Sequence, residues 1–280
     1  MKNKYKLLAL SGTALLCAAA LHEKLTVRRY KISSGKINEQ VRLMILSDLH
    51  SVVYGKGQRD LFYMIKKQKP DVILLAGDMV DNRIPAMGAK ELFSKIGREY
   101  PCYYVCGNHE ARCKNLTAVK NLVRSYGITV LEGNGEIVEI KGQKLRICGV
   151  DDPERFMALT RKCYNVSGKW ISQLRKCDED TGDSIYSILI SHRPELAGHY
   201  MNTSFDLVAA GHAHGGQVRV PGLVNGLYAP NQGLFPEYAG GRYYLDGTTM
   251  IVSRGLAKGR LPRVFNPQEL VVVDLLKGCR

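Results

Sequence analysis

Pro70-Asp71-Val72-Ile73-Leu74-Leu75-Ala76-Gly77-Asp78-Met79-Val80-Asp81 is the stretch on which the fold turns. After a turn-forming Pro-Asp, the apolar run Val72 to Ala76 is too short for a spanning helix and rich in branched side chains, which predicts a strand buried on both faces. It stops at Gly77-Asp78. In open α/β sheets the loops at the carboxyl ends of strands build the site, so an acid placed there points at ligand. Asp78 is therefore expected at the centre of a two-metal site.

Working outward, Leu43 to Leu46 is another short apolar run, and it ends in Ser47-Asp48-Leu49-His50. Between the two runs, Asp60 to Lys69 carries Leu61, Phe62, Met64 and Ile65 at helical spacing, which makes a βαβ unit with both strand ends on one side. Ala86 to Arg98 reads as a helix, Pro101 to Cys106 as a strand ending in Gly107-Asn108-His109-Glu110, and Leu116 to Tyr126 as a helix. Then Ile128 to Leu131, Gly135 to Ile140 and Lys144 to Val150 alternate between turn residues, which predicts antiparallel hairpins. Residues 154 to 183 are charged and weakly patterned, with one helix around Val166 to Lys176. Ser184 to Ile190 and Phe205 to Ala210 are strands that deliver Ser191-His192-Arg193 and Gly211-His212-Ala213-His214. Pro221 to Gly247 is expected as a long Gly/Pro-rich loop beside the site, before closing strands at Thr248 to Ser253 and Glu269 to Leu276. Strands alternating with helices, then hairpins, describe a layered α/β sandwich.

The 280 residues, 45% of them apolar, are enough for one large core, and the formal charge of +14 calls for an anionic partner. Seven Lys/Arg and one Glu fall within the first 31 residues, which points that charge toward a membrane surface rather than nucleic acid. Leu7 to Leu21 carries no charge and follows a basic start, as in a signal peptide or membrane anchor. The expected organisation is thus a tail over residues 1–31 and a catalytic domain over 32–280. The protein would be membrane-associated through that tail, or secreted if the tail is cleaved. Basic residues on both sides of the apolar segment give no orientation. The eight cysteines include no CxxC pair and read as small core residues.

Five strand-like runs end in metal-capable side chains: Asp48 with His50, Asp78, Asn108 with His109, His192, and His212 with His214. Singly, each is a common cap or surface residue. Gathered at one sheet edge they describe a site. Imidazole, carboxylate and amide donors suit Mn, Fe, Zn or Ni, with Mn taken first, and disfavour calcium. Two ions about 3.5–4 Å apart need a bridging carboxylate.

Asp48-x-His50, Gly77-Asp78-x-x-Asp81, Gly107-Asn108-His109-Glu110, His192 and Gly211-His212-x-His214 together resemble the signature of the calcineurin-like metallophosphoesterases, over roughly residues 40 to 276. The resemblance implies a four-layer α/β/β/α sandwich with a dinuclear centre. It places Asp48, His50 and His214 on one ion, Asn108, His192 and His212 on the other, and Asp78 between them. His109 would stand beside the leaving group, with Asp81 and Glu110 orienting the ligands from behind. The basic, apolar amino terminus, Gly215-Gly216-Gln217 and Val150-Asp151-Asp152-Pro153 resemble the bacterial membrane-associated branch that is UDP-2,3-diacylglucosamine hydrolase-like. The implied reaction is hydrolysis of a phosphodiester or pyrophosphate, lipid- or nucleotide-linked, by a hydroxide bridging the ions. Arg193 and Arg254 are candidates to hold a second phosphate. A nuclease or cyclic-nucleotide phosphodiesterase, a phosphomonoesterase and a silent metal-binding scaffold are the rivals. Nucleic acid is disfavoured because the one Trp, Trp170, lies in the weakly patterned excursion rather than along a basic, aromatic groove.

Overall fold

The run Val72–Ala76 is a strand whose five residues are all fully buried, and its alternation explains why the whole run is apolar. Ile73 and Leu75 pack toward a helical layer, while Val72, Leu74 and Ala76 pack toward a second sheet. A strand with a core on each face has no polar side to show.

The computed structural model describes residues 20–21, 24–156, 166–178, 184–201, 203–258 and 262–278. Among these, the first half of the fold comprises β1 (Thr26–Ser34), β2 (Val41–Leu46), α1 (Arg59–Gln68), β3 (Val72–Ala76), α2 (Met87–Glu99) and β4 (Cys102–Val105). It continues through the single turn α3 (Asn108–Ala111), α4 (Leu116–Ser125) and β5 (Thr129–Val130). The second half runs β6 (Asn134–Ile140), β7 (Gln143–Gly149), α5 (Gly168–Cys177), β8 (Tyr186–Ile190), α6 (Ala197–Tyr200) and β9 (Leu207–Ala210). Five more strands close it: β10 (Tyr228–Ala229), β11 (Gly233–Leu234), β12 (Gly241–Leu245), β13 (Thr248–Val252) and β14 (Glu269–Lys277).

One six-stranded sheet has the order β1-β14-β2-β3-β4-β5, the other β12-β13-β9-β8-β7-β6. Leu43, Ile45, Leu74, Ile188, Leu207 and Val273 belong to the core between them. Leu61, Phe93 and Val123 seat helices α1, α2 and α4 on the outer face of the first sheet, and Trp170 and Tyr200 seat α5 and α6 on that of the second. This is the expected four-layer α/β/β/α sandwich. β2, β3 and β4 are parallel neighbours in one sheet and β8 and β9 in the other, so five strand ends meet at one edge.

Three expectations need correction. Ile128 to Leu131 does not form a hairpin: β5 pairs in parallel with β4 and ends the first sheet, and only β6 and β7 make the antiparallel pair. Pro221 to Gly247 is more ordered than a loop, holding the β10–β11 hairpin and β12. The boundary drawn at residue 32 falls inside β1, which pairs with β14 in parallel from Thr26 to Ser34. The sequence reading assigned Thr26 to Lys31 to the tail because its cations mask a half-buried strand. Leu7 to Leu21 lies outside the described residues except for its last two. No helix among the described residues is long and apolar enough to cross a membrane.

Candidate metal centre

The expected donors converge. Atoms of Asp48, His50 and His214 lie within 4.8 Å of one another, as do those of Asp78, His192 and His212. Asp78 faces both groups: its Oδ2 is 3.7 Å from His50 Nε2 and 3.3 Å from His192 Nε2. Asn108 Oδ1 lies 3.2 Å from His192 Nε2.

The backbone is bent to bring them there. Asp48, His50, Asp78, His212 and His214 all have left-handed φ, between 47° and 67°. Such conformations cost roughly 1–3 kcal/mol each in non-glycine residues and gather at functional sites. Glycines admit the close approaches. A Cβ on Gly107 would stand 2.3 Å from Asp78 Oδ1, and one on Gly77, where φ is +85°, would stand 2.6 Å from His192 Nδ1.

Behind the donors is a ring of orienting contacts. His192 Nδ1 donates to the Ala76 carbonyl at 2.7 Å, which leaves Nε2 free to face Asp78. His212 Nε2 meets Asn231 Oδ1 at 2.9 Å, so Nδ1 is its uncommitted nitrogen, and its backbone N–H donates to Asp48 Oδ1 at 3.0 Å. The fully buried Glu110 accepts from the backbone N–H of Asp78, Val80 and Gly107 at 2.8–2.9 Å. It ties the loop after β3 to the loop after β4. Asp81 Oδ2 lies 3.3 Å from His50 Nδ1 and 3.1 Å from His109 Nδ1, while its Oδ1 accepts from Arg83 N–H at 2.6 Å. Asp81 thus stands behind two rings rather than capping a helix.

The electrostatics follow from burial against two carboxylates. Burial opposes a charge on His192, but the adjacent Asp78 outweighs it and lifts the imidazole to about 10. Burial depresses His212, aided by the Arg193 guanidinium, and depresses His214 to about 4. It lowers His109 as well, which makes its protonated form a stronger acid. Buried carboxylates facing imidazoles with one nitrogen anchored and the other uncommitted form a donor set that fits divalent ions of the Mn–Zn series.

Arg193 and Arg254 are not among the residues that line the cavity beside the donors. Arg193 is only 1% exposed: it forks onto Asp152 with Nε at 2.5 Å and Nη2 at 3.0 Å, and Nη1 reaches Asn231 Oδ1 at 2.8 Å and His212 Nε2 at 3.0 Å. With further contacts to Glu154 and Glu195, its donors are committed to holding His212 in place. Arg254 is also buried, its Nη1 3.6 Å from Glu269 Oε2. The sequence put both beside the site but could not show which way they turn.

The cations that line the cleft are others. A cavity of about 540 Å³ is bounded by His50, Asp81, His109 and His214 and by Arg83, Lys258 and Arg263. Arg263 Nη1 donates to the Arg254 carbonyl at 2.7 Å, and Nη2 lies 3.4 Å from His214 Nδ1. Sequence reading missed Arg263, Asn231 and Asp152. Asp152 had a signal in the Asp-Asp-Pro turn after β7, whereas Asn231, in the turn between β10 and β11, and Arg263 had none.

A sandwich whose two sheets deliver carboxylate, amide and imidazole donors to one cleft has the form of a metal-dependent hydrolase. Residues 41–216 match the calcineurin-like phosphoesterase family, and the chain belongs to it. That family comprises dinuclear divalent-metal enzymes. The chain is 29% identical to an uncharacterized metallophosphoesterase of Aquifex aeolicus, over 90% of each. It is 25% identical to the phosphodiesterase YaeI of Escherichia coli, over 72% of this chain and 71% of that one. In fold it is similar to a dimetal phosphatase from Danio rerio, with a TM-score of 0.51, 11% identity and coverage of 84% and 93% of the two chains.

Proposed function

We propose that the protein is a dinuclear phosphodiesterase that cleaves a phosphodiester or pyrophosphate in a lipid- or nucleotide-linked substrate at a membrane surface. The observation that carries the chemistry is Asp78, whose one carboxylate oxygen faces His50 on one side and His192 on the other. On this reading Asp48, His50 and His214 hold one ion, Asn108, His192 and His212 the other, and Asp78 serves both. The ions, when bound, supply Lewis acidity at the phosphoryl oxygens and an acidified water as nucleophile.

The chain's own residues do the rest. Arg263 and Lys258, on the cleft wall, neutralise phosphoryl oxygens that face away from the donors. His109 lines the cleft with Nδ1 held toward Asp81, which leaves Nε2 to pass a proton to the departing oxygen. Glu110 fixes the Asp78 and Gly107 backbones, so the two loops keep their spacing as charge moves. Preference for the diester is supported by the likeness to YaeI. The lipid-linked substrate is supported by the resemblance to the diacylglucosamine hydrolase-like branch and by the basic, uncharged-cored amino terminus.

The test is the full chain, stripped of metal and reloaded with Mn, assayed on bis-p-nitrophenyl phosphate and p-nitrophenyl phosphate with metal content measured on the same sample. Two metals and faster diester cleavage are expected. Faster monoester cleavage would make the protein a phosphatase, and two metals with no turnover would make it a binding scaffold.

A further inference from the structure

From Val220 to Phe235 the chain has no Asp, Glu, Lys, Arg or His, although 24% of its residues are charged. Within that span Val220, Leu223, Leu227, Tyr228, Leu234 and Phe235 are all exposed, Leu223 by 85%, Leu234 by 68% and Phe235 by 67%. Single apolar side chains at a surface are ordinary, but this many on one uncharged projection mark an interaction face.

The projection is built. Val220 and Val224 form a bridge, and β10 pairs with β11. The N–H of Leu227 donates to the Val218 carbonyl and that of Phe235 to the Leu227 carbonyl, each at 2.8 Å. Its base adjoins Gln217 on the cleft wall, three residues after His214.

The same base receives Ala20, near the end of the uncharged stretch Leu7 to Leu21. Val218 bridges Val264, Arg219 N–H donates to the Val264 carbonyl at 2.9 Å, and the next residue, Phe265, donates to the Ala20 carbonyl at 2.6 Å. Leu21 beside it is 51% exposed. Ala20 and Leu21, the last two residues of the uncharged stretch, therefore meet the body of the protein at the foot of the apolar projection and beside the cleft.

We propose that residues 220–235 are a wedge that lies in the headgroup–acyl boundary of a lipid bilayer, on the face where the amino-terminal segment joins, so that the cleft opens at the membrane surface. This rests on the reading above that the amino-terminal segment is membrane-associated. With no charge to desolvate, the wedge gains from burying its apolar side chains, and Tyr228 suits the polar boundary.

The experiment uses the full chain with vesicles of phosphatidylethanolamine and phosphatidylglycerol, some carrying brominated acyl chains. Leu223→Trp and Leu234→Trp report from the wedge, and Tyr63→Trp, on the outer face of α1, is the control; Trp170 is fully buried and gives a constant background. Expected are flotation with the vesicles, strong bromine quenching of the added tryptophan at 223 and 234, none at 63, and parental rates on a soluble ester for all variants. Flotation without quenching at 223 and 234 overturns the wedge and leaves the tether intact. Failure to float overturns the membrane reading itself. A concentration-dependent blue shift at 223 without vesicles would give the face to a second copy of the chain.

Discussion

Asp78 divides its two oxygens between two tasks. Oδ1 accepts the His109 backbone N–H at 2.8 Å, which sets where that residue starts, while Oδ2 is left to the imidazoles of His50 and His192. The position of His109 is thus tied to the donor cluster through the backbone, and its ring to Asp81. Because the proposed arrangement gives the His109 ring to neither ion, His109→Ala is expected to leave two metals bound and to slow cleavage of an ester with a poor leaving group by about 10²–10⁴-fold, the range for loss of a general acid. Metal analysis beside rates on esters of graded leaving-group pKa checks this: a uniform loss across the series, or none, would remove the ring from proton transfer. Arg193 makes the opposite case, a charge near the site that never meets solvent. Its fork fills the Asp152 carboxylate, which is itself fully buried. Arg193→Met would strand that carboxylate, at a cost of about 3–5 kcal/mol in stability. Chemical denaturation measures it; a cost below about 1 kcal/mol would mean that Asp152 takes up a proton or water in place of the guanidinium and that the cation is not what stabilises it.

Elements decide how much of this was legible in the sequence. The ends of β2, β3, β4, β8 and β9 could be read because a strand buried on both faces is a short apolar run, and the first polar residues after it stand out against it. The reading failed where pairing partner rather than burial defines the element. β5 is two residues long, and nothing in Thr129-Val130 says that it pairs in parallel with β4 rather than folding back. The orienting residues failed for a related reason: Asn231, in the turn between β10 and β11, meets His212 from 19 residues away, and a contact so made leaves no local spacing. β1 is the instructive error. Its half-buried pattern carries Arg28, Arg29 and Lys31, so composition grouped it with the basic tail, yet all nine residues pair with β14. Removing residues 1–31 would strip most of β1 and expose one side of β14 along its length, an edge prone to pairing with other chains. A protein starting at Lys24 is therefore expected to keep the full chain's oligomeric state with a single cooperative melt, and one starting at Ile32 to aggregate or melt well below it. Size-exclusion chromatography and thermal melts of the two decide the point; equal behaviour would make β1 dispensable and restore the boundary at residue 32.

At the scale of the whole molecule, the donors are shared between the sheets. Asp48, His50, Asp78 and Asn108 follow strands of the first sheet, and His192, His212 and His214 follow strands of the second. The inter-sheet core is apolar and close-packed, and it contributes no directional contact at the edge where the donors meet. Polar ties across the same edge, such as His212 N–H to Asp48 and His192 Nδ1–H to the Ala76 carbonyl, set the offset at the site. Ions held as proposed would add ties of the same kind, since each would draw on both sheets, the first through His214 and the second through Asn108 and Asp78. A ligand bound only by the folded state stabilises it by about 2.7 kcal/mol at a hundredfold excess over Kd. In a domain of this size that corresponds to roughly 5–10 °C in Tm. Chelation is accordingly expected to lower Tm by that amount in one cooperative transition, with Mn restoring it, and removal of either sheet's donors, by His214→Ala or by Asp48→Ala, to abolish part of the Mn-dependent gain. A chelator-insensitive Tm would mean that the ions do not bind between the sheets, and a split melt would mean that the sheets unfold separately and the site is not what aligns them.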